Sequence, residues 1–146
     1  MSLFSVFSIS ASGMAAQRAR AEVISENLAN ADTTRTPDGG PYRRRDVVFE
    51  SRTAEPVFAN VLAQHLSPAG TGVAVSDYVQ DERDPVRRYA PGHPDAGADG
   101  YVAMPRINPT EEMVDLMGAS RGYQANVAAI SAAKDMIHRS VDILKA

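Results

Sequence analysis

All nine prolines of the chain lie between Pro37 and Pro109, and seven of its ten glycines fall in the same stretch. Proline removes a backbone donor and clashes with the preceding helical turn, so no long helix crosses this middle. Before Pro37 and after Pro109 the chain carries no proline, and both ends show helical periodicity. The pattern predicts an α+β chain, mainly α. Its long N- and C-terminal helices pair as an extended coiled-coil-like hairpin, and the middle is a small β-rich insertion. The expected segments are 1–32 and 109–146 for the helices and 33–108 for the insertion. With 146 residues there is room for one domain of ordinary size, not two.

In the first segment Phe7, Ala11, Met14, Ala21, Ile24, Leu28 and Ala31 form an apolar stripe, with Gln17 as its one polar member. Gly13 costs about 1 kcal/mol relative to alanine inside such a helix. The helix should stop near Asn30–Asp32, ahead of Pro37. The last segment opens with Asn108 as N-cap, Pro109 as first helical residue and Glu111 as partner in a capping box. Leu116, Tyr123, Ile130, Ile137 and Leu144 then recur every seven residues, with Met113, Ser120, Val127, Lys134 and Val141 as companions. Each large apolar side chain on this seam contributes about 1.5–3 kcal/mol when fully buried. A lone helix pair covers only one side of each helix, so the chain is expected to associate.

Between the helices, Asp46–Phe49, Val57–Leu62, Gly72–Val79 and Tyr101–Met104 read as short strands. Pro68-Ala-Gly, Pro91-Gly-His-Pro and Asp99-Gly supply turn chemistry between them.

Sites of chemistry are not evident. The chain has no cysteine, which removes disulfides, thiolate ligands and Cys nucleophiles together. His65, His93 and His138 fall in no metal-ligand or triad spacing. Asp95–Gly100 opens like a calcium loop, but Gly97 and Arg106 stand where oxygen ligands are needed. A net charge of −3 does not suit a nucleic-acid or membrane-surface binder. Arg43-Arg44-Arg45, the one basic run, is followed at once by Asp46 and Glu50, and reads as one side of a protein–protein contact. No cofactor, metal, nucleic acid or small-molecule substrate is expected. No apolar run reaches the length of a membrane span, and the N-terminus lacks the basic and uninterrupted apolar regions of a signal peptide.

The segment SGMAAQRARAEVISENLAN, Ser12–Asn30, resembles the N-terminal signature of bacterial flagellar axial proteins, with Asn27-Leu28-Ala29-Asn30 as its core. TTRTPDGGPYRRR (Thr33–Arg45), APGHPDAGADGYVAMP (Ala90–Pro105) and EEMVDLMGASRGYQAN (Glu111–Asn126) are similar to one branch of that family, a protein of the proximal rod. The likeness runs along nearly the whole chain. Gly118, Gly122 and Arg106-Ile107 depart from it, and the two glycines soften the C-terminal helix. The resemblance implies a structural subunit of the flagellar basal-body rod, polymerised into a helical tube that transmits torque from motor to hook across the periplasm. It implies export by the flagellar type III apparatus without a cleavable signal peptide. Its partners would be copies of itself, other rod proteins and adjoining basal-body components. Phe7, Met14, Ile24 and Leu28 are then expected to pack on Met113, Leu116, Tyr123, Val127, Ile130, Ile137, Val141 and Leu144, within or between subunits. Asn27 and Asn30 should satisfy backbone groups where the first helix ends, and Arg43–Arg45 should reach neighbouring subunits. A soluble adaptor binding one partner through the same helices is the alternative reading. A hydrolase would need polar groups converging on a closed pocket in the middle region.

Overall fold

The structure, a computed structural model, describes residues 3–52 and 72–145. The expected strand at 57–62, the turn at 68–70 and His65 lie outside them. Helix α1 spans Leu3–Ala29 and helix α2 spans Pro109–Lys145. Between them lie β1 (Arg45–Arg52), β2 (Gly72–Gln80), β3 (Val86–Tyr89) and β4 (Tyr101–Met104). These strands form two separate two-stranded sheets, β1 with β2 and β3 with β4. The chain is thus mainly helical, with a small β insertion.

Local chemistry sets the helix ends. Asn30 donates its backbone N–H to the Glu26 carbonyl at 3.1 Å, and its side-chain amide reaches the same carbonyl at 2.9 Å. A carbonyl freed by the end of α1 is satisfied there. At the start of α2 the Asn108 side chain accepts the Thr110 N–H at 3.1 Å, and Pro109 has no donor to leave unpaired. Glu111 does not close the expected capping box among the described residues. With Glu112 it places negative charge in the first turn, where the helix dipole favours it.

Strand β3 is not among the strands the sequence predicts, because Val-Arg-Arg-Tyr carries no alternating apolar pattern. It forms by antiparallel pairing with β4, matching Val86 to Met104 and Tyr89 to Tyr101. The two tyrosine rings meet edge to face at 5.3 Å, and the Arg87 guanidinium lies 5.2 Å from the Tyr101 ring. Gly100 closes the connection at φ +75°, and a Cβ there would come within 2.8 Å of the Tyr89 ring.

The chain divides into two compact units. The first draws on the described residues of Met1–Ala19, Phe49–Ser76 and Ala119–Ala146. Its buried side chains are small: Ser10, Ala16, Ala119 and Ala133. Here α1 and α2 meet antiparallel through glycines. A Cβ on Gly13 would stand 2.9 Å from Asn126 Oδ1, and one on Gly122 would stand 3.1 Å from Gln17 Cδ. Each helix offers a glycine to receive the amide side chain of the other. β2 enters this unit where the Val73 N–H donates to Ser12 Oγ at 3.0 Å. The second unit comprises Arg20–Val48 and Asp77–Gly118. It buries Val23, Ile24, Val102, Asn27 and Glu112.

Candidate assembly interface

The second unit is organised around Asn27, which is completely buried in the last turns of α1. Its amide nitrogen donates to the Arg45 carbonyl at 2.8 Å and to Glu112 Oε2 at 3.2 Å. Its oxygen accepts the Arg45 N–H at 2.9 Å and the Tyr42 hydroxyl at 3.2 Å. Both donors and both acceptors of one asparagine are used. Glu112, only 2% exposed, takes its second oxygen to Arg44 Nε at 2.6 Å. Arg44 also reaches Asp46 at 3.1 Å and Asp115 at 3.9 Å. A buried carboxylate therefore has a charged partner and a neutral donor, the arrangement a buried charge requires. No buried side-chain N or O among the described residues lacks a partner.

Titration behaviour follows this packing. Burial raises the Tyr42 hydroxyl above its ordinary range, helped by Glu26 and opposed by Arg45. Burial alone would lower Arg44, but its hydrogen bonds to Glu112 and Asp46 outweigh that and leave it raised. Hydrogen bonds from the Arg83 side chain and backbone hold the Asp81 carboxyl well below the usual carboxylate range.

The predicted contact residues divide into three groups. Ile24 is buried, and Phe7, Met14, Leu28, Leu116, Ile130 and Ile137 are half-buried. Met113, Tyr123, Val127 and Val141 are exposed. The side chain of Leu144 lies outside the described set. Toward α1, the register that accompanies Leu116, Ile130 and Ile137 is Glu112, Ala119, Asn126 and Ala133. It is also a repeat of seven, one residue away from the expected companions. Small side chains let the helices approach closely, whereas Met113 and Val127 would hold them apart. Helix α2 thus has two seams flanking one apolar register, and among the described residues it is the small-residue seam that packs inside the chain.

Asn27 and the arginine run make specific contacts within the chain. Asn30 serves the end of α1, but Asn27 instead bonds the peptide of Arg45, eighteen residues away. The arginine run is engaged within the chain. Arg43 donates to the Asp81 carbonyl, Arg44 holds Glu112, and Arg45 pairs with Glu26 at 3.3 Å and lies 5.6 Å from the Tyr78 ring. A cleft of about 710 Å³ in the second unit is lined by Arg44, Arg88, Arg106, Glu111 and Asp115, among others. Its Arg44 and Glu112 are already committed to each other. Among the described residues no three His, Asp or Glu side chains are grouped to hold a metal.

The chain is 40% identical to the flagellar basal-body rod protein FlgC of Borreliella burgdorferi, over 99% of both chains. It belongs to the FlgC family. The FlgC proteins of Bacillus subtilis, at 41% identity over 99% of this chain, and Salmonella typhimurium, at 38% over 98%, are similar throughout. Residues 7–35 match the family described as flagella basal body rod protein. Residues 98–143 match the C-terminal family of the flagellar basal body rod FlgEFG proteins. In this FlgC-family chain the two matched segments are the ones that supply Asn27 and Glu112, which meet in one hydrogen bond. No described helix is long and apolar enough to cross a membrane.

Proposed function

We infer that this chain, a structural subunit of the flagellar basal-body rod, polymerises with copies of itself and with other rod proteins. The product is the helical tube of the proximal rod, which carries torque from motor to hook. Its role is mechanical rather than catalytic. The flagellar type III apparatus exports it, and the helices within 1–32 and 109–146 form the axial core while 33–108 decorates it.

The observation that carries this reading is the second seam of α2. Met113, Val127 and Val141 fall on one heptad register with Tyr123 beside them, and all four are exposed. Apolar surface gathered on one helix face marks an association site. Phe7, Met14, Ile24 and Leu28 back the opposite helix, and Leu116, Ile130, Ile137 and Leu144 complete the apolar register. Val127→Asp is the direct test, because Val127 is exposed and its replacement spares the folded subunit. The variant should be exported normally yet fail to restore motility to a cell lacking its own copy. Full motility with Val127→Asp would contradict the assembly reading.

A further inference from the structure

The connection between β3 and β4 carries His93, between Pro91-Gly92 and Pro94. Its backbone is held on both sides: the His93 N–H donates to the Ala90 carbonyl, and its carbonyl accepts the Ala96 N–H, both at 3.0 Å. The imidazole is half-buried against a cavity of about 320 Å³ lined by Asp32, Arg88, Ala90, Val102 and Met104. All of these residues belong to the second unit.

His93 Nδ1 accepts the Asp95 N–H at 3.1 Å. A neutral imidazole accepts through one ring nitrogen only, so this bond fixes the ring proton on Nε2. The Asp95 carboxylate is turned elsewhere. Its Oδ2 accepts the Thr34 hydroxyl at 2.7 Å, joining the segment after α1 to this connection across 61 residues. The same oxygen lies 4.0 Å from His93 Nδ1, too far for a hydrogen bond but within reach of an ion pair. Protonation reverses the preference. An imidazolium has two donors and no acceptor, so the Asp95 N–H would meet another donor while the neighbouring carboxylate became an attractive partner. The other charged groups lining the cavity with the ring are Asp32, from the segment after α1, and Arg88, from β3, one of each sign.

We propose that His93 is an acid-sensitive latch between the β3–β4 connection and the segment that follows α1. With the ring neutral, Nδ1 holds the Asp95 peptide and the Asp95 carboxylate holds Thr34. With the ring protonated, the Nδ1–H takes the carboxylate, the Asp95 peptide is released, and the Thr34 hydroxyl gives up its hold on Oδ2. The proton comes from solvent and stays on Nδ1. Histidine is the side chain whose ordinary charge change falls between about pH 5 and 8. Every contact of the latch lies within one chain, so it is independent of polymerisation.

NMR of the full chain, titrated from about pH 8 to pH 5, tests this. The Asp95 amide proton should move upfield as pH falls, as an amide losing its acceptor does, with the same midpoint as the His93 ring protons. The Thr34 amide should move with them. In His93→Asn the side-chain oxygen replaces Nδ1 as acceptor but carries no titrating group, so the Asp95 amide should keep its neutral-pH position throughout. In His138→Asn, on the exposed side of α2, it should titrate as in the native chain. Asp95→Asn removes the carboxylate, and should abolish the Thr34 response while leaving that of the residue-95 amide. If His93→Asn does not fold, the ring and amide midpoints of the native chain decide alone. An Asp95 amide that stays in place while the His93 ring titrates would overturn the latch. So would one that moves equally in His93→Asn, or a His93 ring that keeps a single form across the whole range.

Discussion

An asparagine in the last turns of a helix ordinarily serves the helix end, and Asn30 does so. Asn27, three residues earlier, is a tertiary residue with four hydrogen bonds to three residues, Tyr42, Arg45 and Glu112. That role is not legible in the sequence, because it depends on Arg45 and Glu112 arriving from distant parts of the chain. Asn27→Ala should destabilise the subunit by about 2–4 kcal/mol, since it leaves the Arg45 peptide and one oxygen of Glu112 without partners. Chemical denaturation would measure it. The glycines have separate meanings as well. A Cβ on Gly118 would meet nothing within 4 Å, so Gly118→Ala should gain about 1 kcal/mol of helix propensity, raising Tm by about 3 °C. Gly13→Ala should lower Tm instead. Its Cβ would strike the Asn126 amide, which is held by its own bond to the Gly122 carbonyl at 2.8 Å. Tyr42 adds a pH signature. Its folded value is raised above the ordinary one near 10, so its contribution is intact below that pH and is lost as pH rises through the folded value. As pH rises above about 10, Tm of the native chain should fall more steeply than that of Tyr42→Phe.

At the scale of elements, both helices are legible because periodicity and end signals agree: Pro109 opens α2, and Asn30 follows the last residue of α1. The choice of seam is not. Periodicity favours large apolar residues, so it selects Met113 and Val127, whereas α1 and α2 pack through alanine, glycine and asparagine. Close approach of two backbones rewards small residues, a signal that hydrophobicity does not carry. Ala119→Leu or Ala133→Leu should therefore lower stability by about 1–3 kcal/mol through overpacking, while Ser120→Leu, on the exposed face, should change Tm little. Thermal unfolding of the three variants distinguishes the two faces. β3 is illegible for a related reason, since its pattern is polar and its pairing with β4 supplies what its side chains do not.

For the whole molecule, the described residues bury few large apolar side chains, while eight of those on α2 remain exposed. On the reading that the chain polymerises, neighbouring subunits would cover these side chains. The claim most open to direct measurement is that the Met113, Tyr123, Val127 and Val141 seam is an intersubunit surface. Electron microscopy of the intact basal body, with this chain traced at side-chain level, measures it. The account predicts that these four side chains are covered by helices of neighbouring subunits while Asn27 stays bonded to Glu112 within its own chain. Solvent or the open channel against all four, in a fully assembled rod, would contradict it.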